Sequence, residues 1–276
     1  MIRESHRRPA PKRLTAEKRP SAAQPVRPGN GRVTVASLSA PDAPGGRKVW
    51  IYRPGVPDSA SLPVVYFLHG LPGSYRDLAT LDVQHTLDRL ITARRLQPFV
   101  LAVPDGNSTH ATDPEWADSR SHDLGLEDFV IGPLRRLVEG NHPRDRQHRF
   151  IMGFSMGGYG AMNIALQHPQ IFGAVVSIAG YFDTDDESNI WNDDPTQLTA
   201  NRPDHHVANA RGMRVMLADA RGDDLSVTKG ETQRFASLLR DVNVTPYVDI
   251  QPGTHSAAYL QSELPRAFSF LVQGSP

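Results

Sequence analysis

The feature that most constrains the fold is a junction. The run Phe150-Ile151-Met152-Gly153-Phe154 leads directly into Ser155-Met156-Gly157-Gly158, and the stretch Met156–Gln167 follows with helical character. A short apolar run predicts a strand covered on both faces, and a helix opening immediately after it predicts a tight strand-to-helix turn. Glycine two residues before and two residues after Ser155 removes the side chains that would collide in such a turn. A serine placed there is lifted clear of the sheet, with a helix N-terminus aimed at it. A glycine-rich turn with an incidental serine is the plain alternative, and the surrounding strand and helix argue against it.

The rest of the chain repeats that alternation. Val49–Arg53, Val64–His69, Phe99–Val103, Ala174–Ala179, Arg214–Ala218 and Val244–Ile250 read as further strands. Thr80–Leu96, Glu127–Val138, Glu231–Arg240 and Ala257–Val272 read as helices between and after them. Strands alternating with helices predict an α/β protein with a mainly parallel central sheet and helices on both faces. No internal repeat and no second domain are legible.

Charge divides the chain unevenly. It carries 30 Lys+Arg and 30 Asp+Glu, a formal net charge of zero. Eight of the basic residues, from Arg3 to Arg27, fall among the first 30 positions with only Glu4 and Glu17 against them. Five prolines and few large apolar residues complete the picture of a disordered basic tail over 1–32, ahead of one folded domain over 33–276. A basic arm touching an anionic surface is the functional alternative for the tail. No apolar stretch follows the basic start, so a signal peptide is not expected and a cytoplasmic location is. Overall neutrality argues against nucleic acid as partner, and no apolar run approaches the 18 residues of a membrane span. The chain contains no cysteine, which excludes disulfides, thiolate zinc sites, iron–sulfur clusters and cysteine nucleophiles.

A serine nucleophile needs a base and an orienting acid, and on a strand–turn–helix scaffold they follow in the order Ser, Asp or Glu, His. Four histidines follow Ser155. His168 ends the nucleophile's own helix, and His205-His206 lie in a polar loop. His255 follows Pro252-Gly253-Thr254 between the last strand and the last helix, where a loop-borne base belongs. For the acid, Asp219-Ala220-Arg221-Gly222-Asp223-Asp224 follows a strand. Asp224 is the leading choice, Asp223 its close competitor, and Asp219 a turn-shaping candidate. Tetrahedral acyl chemistry also needs two backbone N–H donors for the developing oxyanion. These are expected from Met156, directly after the nucleophile, and from Leu71 in the loop His69-Gly70-Leu71-Pro72-Gly73-Ser74. The acidic stretch Asp183–Asp194 is read as a solvated loop, with a hard-cation site as its alternative.

At these residues the chain resembles the esterase D / antigen 85 / feruloyl esterase-like branch of the α/β-hydrolases, over about Lys48 to Leu271. The resemblance is carried by Val49-Trp50-Ile51-Tyr52, Pro63–Gly70, Phe99–Gly106 with its Pro104-Asp105-Gly106 end, Ser155–Ala161, and Thr254-His255-Ser256 followed by Tyr259. Glu115-Trp116-Ala117-Asp118-Ser119 resembles a segment near the active site of bacterial members. The resemblance implies an α/β-hydrolase fold and a serine esterase with a Ser155–Asp224–His255 triad. It implies a small-molecule ester substrate and an acyl-enzyme formed without metal or organic cofactor. An acyltransferase passing the acyl group to an alcohol or sugar, and a non-catalytic binding protein of the same fold, are the competing expectations.

Overall fold

The computed structural model describes residues 29–57, 61–119, 121, 123–184 and 189–274. Eight strands form one sheet: β1 Gly29–Leu38, β2 Arg47–Gly55, β3 Val64–Leu68, β4 Val100–Pro104, β5 Arg149–Phe154, β6 Ala174–Ile178, β7 Arg214–Ala220 and β8 Tyr247–Gln251. Their spatial order is β1-β2-β4-β3-β5-β6-β7-β8. β2 pairs antiparallel with β1 and β4, and every pairing from β4 through β3 to β8 is parallel. This is the expected mainly parallel α/β sheet. The tail expected over 1–32 falls outside the described residues up to 28. From Gly29 onward that boundary is corrected, because Gly29 and Arg32 already pair with Gly55 and Arg53 in β1. Polar, half-exposed edge strands carry little apolar signal.

The helices are α1 Asp77–Thr80, α2 Val83–Thr92, α3 Leu126–Phe129, α4 Arg135–Glu139, α5 Met156–Gln167, α6 Pro195–Ala200, α7 Glu231–Asp241 and α8 Ala257–Gln273. The helix expected over Thr80–Leu96 is broken at Asp82, whose φ of 55° ends α1 before α2 begins. The one expected over Glu127–Val138 is α3 and α4 joined by a π turn, Val130–Leu134. Pro133 sits in that turn and has no N–H to give the helical ladder, and the wider turn accommodates it.

Strand alternation sends side chains to two apolar layers. Tyr66, Leu68, Ile151, Val175, Val215 and Leu217 pack with α3, α4, α5 and α7 on one face. Val65, Phe67, Leu101, Met152, Val176 and Met216 pack with α1, α2 and α8 on the other. β3 and β4 are buried at every residue, which is why they read as unbroken apolar runs. Each such side chain contributes roughly 1.5–3 kcal/mol of transfer free energy. Between the layers, the carboxyl ends of β3 to β8 converge on one edge.

Candidate active site

Ser155 stands at that edge between β5 and α5 with φ 55° and ψ −122°. Such a backbone costs on the order of 1–3 kcal/mol and persists only where its surroundings impose it. Here the Ser155 N–H donates to the Ile178 carbonyl at 2.9 Å, and its own carbonyl accepts from Tyr159 N at 3.0 Å. The flanking glycines are required sterically. A Cβ on Gly153 would lie 2.0 Å from the Gly157 carbonyl oxygen, and one on Gly157 would lie 2.0 Å from that of Leu68.

His255 is carried over the edge by the loop between β8 and α8. Its ring packs on Phe154, the residue before the serine, with centroids 4.8 Å apart. Its Nδ1 is 2.7 Å from Asp223 Oδ2. The acid that meets the histidine is therefore Asp223, and the choice of Asp224 is corrected. The Asp223 N–H donates to the Ala220 carbonyl at 2.9 Å, and the resulting turn sends the Asp223 side chain inward while Asp224 faces solvent. Asp223 Oδ1 accepts from Thr228 Oγ1 at 2.9 Å and from Leu225 N at 3.2 Å. Thr228 gave no signal in the sequence; only the folded loop brings it to the carboxylate. Asp219 lies deeper, its carboxyl pushed up to about 6 by burial and then by the neighbouring Asp223. Among the described residues no hydrogen bond joins Ser155 Oγ to His255. Catalytic bonds of this kind are often long before substrate binds.

The loop after β3 abuts Ser155. A Cβ on Gly70 would come within 3.1 Å of Ser155 Cβ and 3.0 Å of the Phe154 carbonyl oxygen. Among the described residues neither Leu71 N–H nor Met156 N–H donates to another group, so both are available to an incoming oxygen. A cleft of about 390 Å³ opens beside Leu71, lined also by Pro72, Leu81, Phe154, His255 and Leu260 among others. Its one carboxyl, Asp77, is held above the usual range by burial.

The remaining histidines and acids have other partners. His168 Nε2 lies 2.7 Å from Glu127 Oε1, and His206 Nε2 lies 3.1 Å from the Thr199 carbonyl. Within the acidic stretch, Asp183 pairs with Arg202 at 2.6 Å and Asp194 caps α6, while residues 185–188 lie outside the described residues. Among the described residues no group of three His, Asp or Glu is placed to hold a metal ion. Nor is any helix there long and apolar enough to cross a membrane.

Comparison with known proteins supplies the family and the fold. The family described as "Putative esterase" matches residues 42–271. An S-formylglutathione hydrolase of Paracoccus denitrificans is 24% identical over 206 residues, covering 69% of this chain and 71% of its own. Among solved structures, a ferulic acid esterase superposes with a TM-score of 0.74 at 21% identity, covering 88% of this chain and 98% of its own. Mycobacterium tuberculosis MPT51 does so with a TM-score of 0.68 at 16% identity, covering 88% and 99%. Structures this distant report the fold, and the family match reports the class of chemistry. The chain belongs to this esterase family and is a carboxylic ester hydrolase with the α/β-hydrolase fold.

Proposed function

We propose that the protein cleaves small-molecule carboxylic esters through an acyl-enzyme on Ser155. His255 takes the hydroxyl proton as Ser155 attacks the carbonyl, then returns it to the leaving alcohol. Asp223 accepts from Nδ1–H and so keeps Nε2 free to act as the base. The N–H groups of Leu71 and Met156 receive the oxyanion, and the cleft beside Leu71, Leu81 and Leu260 lodges an apolar part of the ester. Water, activated by His255, then releases the acid. The observation that carries this reading is the 2.7 Å contact between His255 and Asp223, made while the same ring packs on the residue preceding a strained serine.

The test is active-site labelling. Purified protein is incubated with a fluorophosphonate, and the adduct is mapped by mass spectrometry in wild type, Ser155→Ala and His255→Ala. An adduct on Ser155 that is lost in both variants is expected. Folded wild type that takes no label, or takes it elsewhere, overturns the reading. With an ester substrate and added alcohols, free acid is the expected product; acyl transfer to the alcohol would identify the acyltransferase instead.

A further inference from the structure

His69, at the end of β3, is fully buried and outside the proposed triad. Its ring bridges two loops. The N–H of Gly106 points at Nε2 at 2.8 Å, and Nδ1 lies 2.8 Å from the Gly70 carbonyl oxygen. A backbone N–H can only donate, so Nε2 accepts and the ring proton is on Nδ1, where it donates to Gly70. Asp105 Oδ1, at 3.7 Å from Nε2, is too far to compete. The His69 carbonyl in turn accepts from Trp116 Nε1 at 2.9 Å, and the indole meets the imidazole edge-on at 5.1 Å. Trp116 is itself seated between two glycines. A Cβ on Gly106 or on Gly160 would fall 2.4 Å from it.

The consequence lies in peptide planarity. The Gly70 carbonyl and the Leu71 N–H belong to one rigid unit and point in opposite directions. A bond that fixes the carbonyl therefore fixes where the N–H points. The loop is otherwise exposed at Leu71 and rich in glycine, so its backbone has other orientations open to it. We propose that His69 is a positioning residue that aims the Leu71 N–H at the oxyanion, with Gly106 setting the ring's tautomer and Trp116 holding the preceding peptide plane. The inference rests on the reading above in which Leu71 N–H is an oxyanion donor. It also gives a purpose to Pro104-Asp105-Gly106, which ends β4 beside the site and supplies the donor that orients the ring.

Two substitutions separate the two bonds. In His69→Asn the amide nitrogen stands near the position of Nδ1 and keeps the bond to Gly70 while losing that from Gly106. In His69→Gln the amide oxygen stands near Nε2 and keeps the bond from Gly106 while losing that to Gly70. Steady-state hydrolysis of an aryl ester, melting temperature, and affinity for a trifluoromethyl ketone are measured for both, with Ser155→Ala alongside. A misaimed oxyanion donor acts in the transition state, so kcat is expected to fall about 100-fold in His69→Gln and less than about 10-fold in His69→Asn. KM is expected to stay within about threefold in both, with similar losses in melting temperature, while ketone affinity follows kcat. Equal kcat in the two variants, or a loss confined to KM, overturns the inference. Should neither fold, Trp116→Phe removes one N–H and keeps the ring. A drop in its kcat at constant KM supports the inference, and an unchanged kcat overturns it. Turnover retained in Ser155→Ala would overturn the parent reading and this one with it. Turnover lost there, with indistinguishable His69 variants, overturns the positioning role alone.

Discussion

Replacing Asp223 with Asn changes a single atom, and the hydrogen bonds around it dictate which one. Asp223 Oδ1 accepts from both Thr228 Oγ1 and Leu225 N, and the backbone N–H of Leu225 can only donate. The amide oxygen of Asn must therefore take the Oδ1 position, and its NH₂ must face His255 Nδ1, which is now 2.7 Å from an acceptor. The imidazole can satisfy that donor only by moving its proton to Nε2, which removes the base that Ser155 needs. The positive ring formed during attack also loses its counter-charge. In Ser-His-Asp triads elsewhere the same exchange lowers kcat by about 10⁴-fold, or about 5.5 kcal/mol of transition-state stabilisation. The expectation here is a loss of 10³ to 10⁴-fold in kcat for Asp223→Asn, with about threefold or less for the solvent-facing Asp224→Asn. Stopped-flow measurement of acylation with a p-nitrophenyl ester reads both, with circular dichroism to show that each variant is folded. Equal losses in the two variants, or a larger loss at Asp224, would refute the assignment of the acid.

Other expectations follow from packing and ionisation. Gly157→Ala places a methyl 2.0 Å from the Leu68 carbonyl oxygen, so a loss of at least about 3 kcal/mol in urea unfolding is expected; a loss under 1 kcal/mol would show that the elbow can relax. Glu263, buried on α8, shares Arg266 with Asp249, the guanidinium lying 3.0 Å from Glu263 and 2.6 Å from Asp249. Its carboxyl is pushed up to about 7, by burial and then by Asp249. An acid whose folded value is raised binds its proton more tightly in the folded state. Its contribution is complete below the usual glutamate range and is lost as pH rises through about 7. Glu263→Gln should thus resist the loss of stability between pH 5 and pH 8, gaining up to about 3 kcal/mol on wild type at the upper end. Denaturant midpoints at the two pH values measure it, and parallel pH dependences would count against it.

How far the sequence could be read follows from where each signal resides. β3 to β7 are covered on both faces, so their apolar runs announce them. β1, an antiparallel edge strand with Val35 more than half exposed, has no comparable run, and its first four residues read as the end of a tail. The serine was legible because its turn demands glycine at fixed offsets. His255 was legible by elimination among four. The acid was open between adjacent aspartates because their separation depends on one backbone turn, from Asp223 N to the Ala220 carbonyl, that has no composition signature. His69, Gly106 and Trp116 were each conspicuous in their own segments, and their mutual bonds exist only once β3 and β4 are side by side.

The way the sheet is wound also bears on how the chain acquires activity. Leu71, Ser155, Asp223 and His255 are supplied by four strand ends, and parallel neighbours such as β3 and β5 are separated by the whole of β4 and its helices. Contacts so distant along the chain close late and slowly, because loop entropy is lost before they form. Helical signal can return while the parallel pairs are incomplete, whereas the edge on which these four residues meet exists only when the distant pair β3 and β5 has closed as well as β7 and β8. During refolding, regain of esterase activity is accordingly a clock for the closing of β3 on β5 rather than for the return of helix.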